Sequence, residues 1–242
     1  MPSDTPEPLV EIADMSKNYQ GLRPLRIEKL LVRPAERVAL LGLDQAMAET
    51  FVNLVTGATL PDRGTVTVFG RTTASIDESA DWLAMVDRFG IVSERAVLLE
   101  AFSVIQNLAM PLTLDIDPPS DELRRRAGLL AEEVRIPDAL WSRPVSELDA
   151  DGRLRLRVAR ALALDPSVLI LEHASARLTA GAAEAIGTEI RRVAERRKCA
   201  VLAATSDRRF ARAVATRVLT HEPATGRMAE PPSTLLHRLF HN

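Results

Sequence analysis

Residues Glu36 to Gly57 read ERVALLGLDQAMAETFVNLVTG, and the rest of the chain is organised around them. Val38, Ala39, Leu40 and Leu41 form a short unbroken apolar run, which predicts a strand buried on both faces. Gly42 marks a tight turn. Beyond it Phe51, Leu54 and Val55 recur at helical spacing on one face. Strand, turn and helix in this order are the layout of a phosphate-binding loop, whose pattern is G-x-x-x-x-G-K-[ST]. Counted from Gly42, the second glycine falls on Met47, the lysine on Ala48 and the hydroxyl residue on Glu49. Gly42 and Thr50 are what remains of that chemistry.

Outward from this stretch the chain alternates between apolar runs and helical patterns. Leu9 to Ser16 alternates like an edge strand, and Leu25 to Val32 reads as a second strand. Thr65 to Gly70 is a β-branched strand after a turn at Leu60 to Gly64, and Gly90 to Val92 is a short buried strand. Ser103 caps a helix that ends before Pro111, Ser120 opens another, and Arg153 to Leu164 is a long helix. Val168 to Leu171 and Ala200 to Ala204 are buried strands on either side of a helix from Ala180 to Arg197. A helix over Arg208 to Ala215, a strand over Arg217 to Thr220 and an amphipathic helix over Ser233 to Phe240 complete the pattern. The expected fold class is α/β: a mainly parallel sheet covered on both faces and an inserted helical subdomain, to which the family resemblance given below adds an antiparallel N-terminal β region. The expected organisation is one domain over residues 1–242, with its core at about 1–102 and 165–242 and the helical part at about 103–164.

Composition narrows the function classes. The 242 residues carry 31 basic and 33 acidic side chains, a net charge of −2, so bulk charge gives no argument for a nucleic-acid partner. The one cysteine, Cys199, permits no internal disulfide and fits a reducing compartment. No apolar run approaches the ~18 residues of a membrane span, and MPSDTPEP lacks the apolar centre of a secretory signal. The expectation is a cytoplasmic chain that reaches a membrane only through a partner.

The order of these parts resembles the ATP-binding subunit of ABC transporters. Four segments carry the resemblance. They are Leu60-Pro61-Asp62-x-Gly64-x-Val66 to Gly70-Arg71, Val104-x-x-Asn107-Leu108-Ala109-x-Pro111, Pro144 to Leu148 with the helix Arg153 to Ala163, and Asp165-Pro166-x-Val168 to Leu171. The resemblance implies a P-loop ATPase fold, a head-to-tail cassette dimer and a membrane-spanning subunit. That subunit is expected to dock on the region Glu94 to Met110. It also implies functional positions, and there the chain departs from the family.

The P-loop lysine is Ala48 and the magnesium-binding hydroxyl is Glu49, with Met47 and Thr50 beside them and Asp44 adding a charge. A carboxylate ~4 Å from a phosphate oxygen is repelled by about 4 kcal/mol at a surface-like dielectric. Loss of the lysine contact removes roughly 1.5–3 kcal/mol more. The family signature falls on Leu148, Asp149, Ala150, Asp151 and Gly152, so two carboxylates stand where the γ-phosphate would be held. By the same resemblance the family's metal-binding aspartate is replaced by Glu172, its general-base glutamate by His173, its Q-loop glutamine by Glu94, its D-loop aspartate by Thr179 and its switch histidine by Ser206. Tyr19 keeps the position that stacks on adenine.

The expected function is therefore a catalytically inactive or severely impaired cassette, a pseudo-ATPase. It would partner a second cassette and a membrane subunit, with no catalytic residue, no metal site and no nucleotide cofactor of its own. Two alternatives stay open. One is an ATPase with an atypical site that uses ATP and Mg²⁺ through Glu172 and His173; the other is a stand-alone regulatory module.

Overall fold

Alternate residues of the central strands point into two different cores, and this fixes the architecture. A computed structural model describes residues 6–230, so the expected helix over Ser233 to Phe240 lies outside the described residues. Strand β3 (Arg37–Leu41) sits inside a six-stranded sheet. Its other strands are β6 (Phe89–Val92), β7 (Val168–Glu172), β8 (Ala200–Ala204), β9 (Arg217–Glu222) and β10 (Arg227–Ala229), and the order is β10-β9-β3-β8-β7-β6. Neighbours from β9 to β6 are parallel, with Ala39 level with Ala203 and Val218; only β10 runs antiparallel. Ala39, Leu41, Leu169, Leu171, Val201 and Ala203 enter one core, while Val38, Leu40, Val168, Ile170, Leu202 and Ala204 enter the other. Apolar residues are needed at every position because both faces are covered.

The second core lies between this sheet and an antiparallel one of order β2-β1-β4-β5, formed by β1 (Val10–Lys17), β2 (Leu25–Val32), β4 (Arg63–Val68) and β5 (Arg71–Thr72). β1 is an interior strand, paired with β2 on one side and β4 on the other, which corrects the edge reading. Its alternation reports one buried face, Val10, Ile12 and Met15, and the pattern skips at Asp14 (φ +48), where the register with β4 shifts. Gly64 is required opposite that bulge. Its φ is +75, and a Cβ there would lie 2.3 Å from the Asp14 carbonyl oxygen.

The helices are α1 (Gln45–Val55), α2 (Ser79–Val86), α3 (Val104–Ala109), α4 (Asp121–Glu133), α5 (Ala150–Leu162), α6 (Ala180–Arg197) and α7 (Arg208–Val214). Ser103 closes a capping box with Gln106, and Ser120 caps α4, as the sequence predicts. α5 starts three residues before Arg153, because the Asp149 carboxylate already caps it. α2 escapes sequence reading: Glu78 gives it no side-chain cap, and Met85 is its one buried residue. The faces of α4 to α7 share the first core with the sheet. Among the described residues no helix is long and apolar enough to cross a membrane.

Candidate functional site

In open parallel sheets, ligands occupy the crevice outside the carboxyl ends of the strands. The corresponding place in this sheet is where β3 and β7 end. Past Leu41 the chain turns at Gly42 (φ +88), where a Cβ would sit 3.1 Å from the His221 carbonyl oxygen, and glycine fits without strain. Asp44 then caps α1: its Oδ1 accepts the Met47 amide at 2.8 Å. A free helix N-terminus attracts anions, but this one is already served by its own carboxylate.

The remaining loop residues turn away from the crevice or are already paired. Ala48 is fully buried in the second core. Met47 packs partly buried against that core. The Thr50 hydroxyl donates to the Ala46 carbonyl at 2.8 Å, one turn back on its own helix. Tyr19 packs against the same core, with its ring against Gly21. Burial first, and then the Asp44 carboxylate, hold its phenol above the ordinary tyrosine value.

Opposite the loop stands Glu172, the last residue of β7, with a side chain that is 0% exposed. A buried carboxylate needs compensation, and two residues supply it. Gln45 Nε2 donates to Oε1 at 2.9 Å, while Arg95 donates from Nε to Oε1 at 3.2 Å and from Nη2 to Oε2 at 2.5 Å. The third Arg95 nitrogen, Nη1, reaches Glu49 Oε1 at 3.3 Å. The hydrogen bond to Glu172 holds the Arg95 guanidinium above the ordinary arginine value. Sequence reading missed both Gln45 and Arg95. Arg95 follows Glu94 directly, yet Glu94 faces the other way, accepting from Arg157 Nη1 and Nη2 at 3.0 and 3.1 Å and pairing with Arg177. No local signal marks which of two adjacent charged residues enters the crevice.

The other expected positions are spread around the crevice and beyond it. His173 follows Glu172 with φ +44; its amide donates to the Ala204 carbonyl at 2.8 Å, and its Nε2 is buried without a hydrogen-bond partner. Ser206 is exposed past β8. Thr179 caps α6. In the segment Leu148 to Gly152, Leu148 is buried and Ala150 is exposed as the first residue of α5. Asp149 Oδ1 accepts the Gly152 amide at 2.8 Å, and Asp151 accepts Arg155 Nε at 2.6 Å. Both carboxylates are thus engaged by their own helix.

The turn at Gly42 keeps the shape of a phosphate loop, while the α1 N-terminus behind it is capped by Asp44. A divalent metal does not fit the side chains as they stand: the Glu172 carboxylate takes three donors and faces a guanidinium. Among the described residues no cluster of three histidine, cysteine or acidic side chains could hold a metal ion.

Comparison with known proteins places this geometry in context. No family model matches the chain. It is 31% identical over 184 residues to the lipoprotein-releasing system ATP-binding protein LolD of Pseudomonas syringae pv. tomato, covering 76% of this chain and 80% of that one. It is 28% identical over 218 residues to the methionine import ATP-binding protein MetN of Brucella abortus. That match covers 90% of this chain but 58% of MetN's length. Among solved structures the fold is similar to CbiO1 of Clostridium perfringens, part of an ABC transporter complex, with TM-score 0.76, 19% identity, and 92% and 87% of the two chains covered. It is also similar to the cassette MJ0796 bound to ADP and Pi, with TM-score 0.72, 18% identity, and 90% and 96% covered. The α/β P-loop ATPase fold read from the sequence agrees with both. The expectation of no nucleotide cofactor is corrected by the same comparisons. The sequence relatives are ATP-binding proteins by name, and ATP belongs to the description of this group.

Proposed function

The chain belongs to the ATP-binding-cassette family of ABC transporters, and we propose that within it this subunit is severely impaired in ATP hydrolysis and acts as a structural or regulatory partner. One observation carries the proposal. The lysine position of the phosphate loop holds Ala48, fully buried, and the Arg95 guanidinium beside it is committed to Glu172. Hydrolysis needs positive charge that follows the phosphates as charge develops on them. Here the crevice presents Asp44, Glu49 and Glu172 against Arg95. The self-capped signature segment adds Asp149 and Asp151 where a facing cassette would present its nucleotide.

In this reading residues 1–102 and 165–242 form the core and 103–164 a helical subdomain. A second cassette faces the crevice, and ATP is handled by the assembly. A membrane-spanning subunit docks on Glu94 to Met110 and holds the chain at the cytoplasmic face. Support comes from Val97, 72% exposed within that region, and from the adjoining cavity of about 210 Å³ lined by Gly90, Ala96, Pro111, Arg160 and Leu164. The deciding measurement is phosphate release by the purified chain with ATP and Mg²⁺, alone and with its cassette partner. The expected result is no turnover by the chain alone. Release proportional to chain concentration overturns the proposal.

A second reading, hydrolysis by an atypical site, draws on the unpartnered Nε2 of His173 beside Glu172. An imidazole nitrogen with no partner can serve as a general base. This reading requires that His173→Ala abolish a turnover that the unaltered chain possesses.

A further inference from the structure

A cavity of about 470 Å³ opens beside α7, on the face of the main sheet that belongs to the first core. Its floor is Leu41 of β3 with Val218 and Thr220 of the neighbouring β9, Thr220 lying level with Leu41. One wall is α7. Phe210, Ala211 and Val214 turn the apolar side of that helix into the core. Arg208 and Arg212, four residues apart, stand one above the other on the side that lines the cavity. Asp207 beside them is spent on the Arg209 and Phe210 amides, and among the described residues the Arg208 and Arg212 side chains make no hydrogen bond or ion pair. Arg217 of β9 also reaches the cavity, but it is held: its Nε lies 2.8 Å from Glu36 Oε1 and its Nη2 donates to the Leu31 carbonyl. Among the described residues Glu230 is the one carboxylate in the lining. Glu36 offsets Arg217, so the excess positive charge comes from Arg208 and Arg212.

We propose that this cavity binds a small organic phosphate, whose head group takes Arg208 and Arg212 and whose apolar body lies over Leu41 and Val218. Guanidinium forks match phosphate oxygens in pairs, and two of them suit a dianion. The volume falls in the ~300–1,000 Å³ range of small-molecule sites, and an apolar floor with a few polar groups at one side is their usual build. The Thr220 hydroxyl at the floor can donate to the same head group. None of Asp44, Glu49, Arg95 and Glu172 lines this cavity, so the acidic side chains of the β3–α1 crevice do not oppose an anion there. The proposal rests on this lining and is independent of the cassette reading.

The test is calorimetric titration of the full chain with phenyl phosphate and, separately, with inorganic phosphate, at fixed ionic strength. It is run on the unaltered chain and on Arg208→Gln, Arg212→Gln and Arg209→Gln, with thermal unfolding of each measured alongside. Phenyl phosphate is expected to bind saturably and more tightly than inorganic phosphate. Arg208→Gln and Arg212→Gln should each bind it about tenfold more weakly, the loss of one charge-assisted contact. Arg209 is exposed on the same helix and lies outside the lining, so Arg209→Gln should stay within about twofold. Equal losses in all three variants overturn the proposal, because surface charge alone then attracts the anion. Equal affinity for the two phosphates overturns it as well, because the apolar floor then plays no part. That comparison needs the unaltered chain only, so it decides the matter even if a variant fails to fold. Absence of saturable phenyl phosphate binding overturns it too. Turnover of ATP by the unaltered chain would instead defeat the functional proposal and leave this one standing.

Discussion

The guanidinium of Arg95 meets the carboxylate of Glu172 fork to fork, Nε 3.2 Å from Oε1 and Nη2 2.5 Å from Oε2, across 77 positions of sequence. Because Glu172 is fully buried, removing its partner leaves an uncompensated charge. Arg95→Ala is expected to lower stability by about 2–3 kcal/mol. That is less than the ~3–5 kcal/mol of a wholly buried pair, since Arg95 is partly solvated. Adding Glu172→Gln should recover most of the loss. Urea unfolding of the two single variants and the double variant measures the coupling, and strictly additive losses would contradict it.

The Asp149 carboxylate is the cap of α5, and the Gly152 amide is its partner. Asp149→Ala should cost about 1 kcal/mol through the lost cap, while Asp149→Ser should be nearly neutral. Thermal unfolding separates the two. Equal losses would mean that the carboxylate's charge, and not its capping oxygen, supports the segment.

Asp62 is held below the ordinary carboxylate range, first by the Asn18 amide and then by Lys17. A depressed folded value gives stability that is present above the unfolded value of ~3.9 and is lost as pH falls through the folded one. The Asp62 carboxyl titration, followed by NMR, should therefore have its midpoint below ~3.9. Lys17→Ala should raise that midpoint only in part, because the backbone amide remains. A complete return would assign the effect to the lysine.

Cys199 is buried at the end of α6, and burial pushes its thiol up to about 11. The thiolate is the reactive form, so the folded chain at pH 8 should be nearly inert to a thiol reagent and should react fully once unfolded in guanidinium. The rate of absorbance change with an aromatic disulfide reports this. Rapid labelling of the native chain would show that the start of β8 opens readily.

Several features follow from the sequence by local physics alone. Val38 to Leu41, Val168 to Leu171 and Ala200 to Ala204 could be read as doubly covered strands, because a run of consecutive apolar residues suits no other position in a sheet. Ser103, Ser120 and Gly42 could be read as caps and a turn, because each acts within four residues of itself. The antiparallel β region was expected only through the family resemblance, and the interior position of β1 was not legible, since an alternating strand looks alike whether one or both of its edges are paired.

The candidate site was legible as a set of positions and opaque as an arrangement. The resemblance to the cassette family is what implied that Ala48, Glu49 and Glu172 belong to one site. Helical spacing puts Ala48 on the face of Phe51 and Val55, while tertiary structure alone decided that Glu94 faces α5 and that Arg95 reaches Glu172. Backbone periodicity repeats within a few residues and so leaves its mark in the sequence. A charge pair formed by loop closure depends on where two distant strands end, and no local pattern records that.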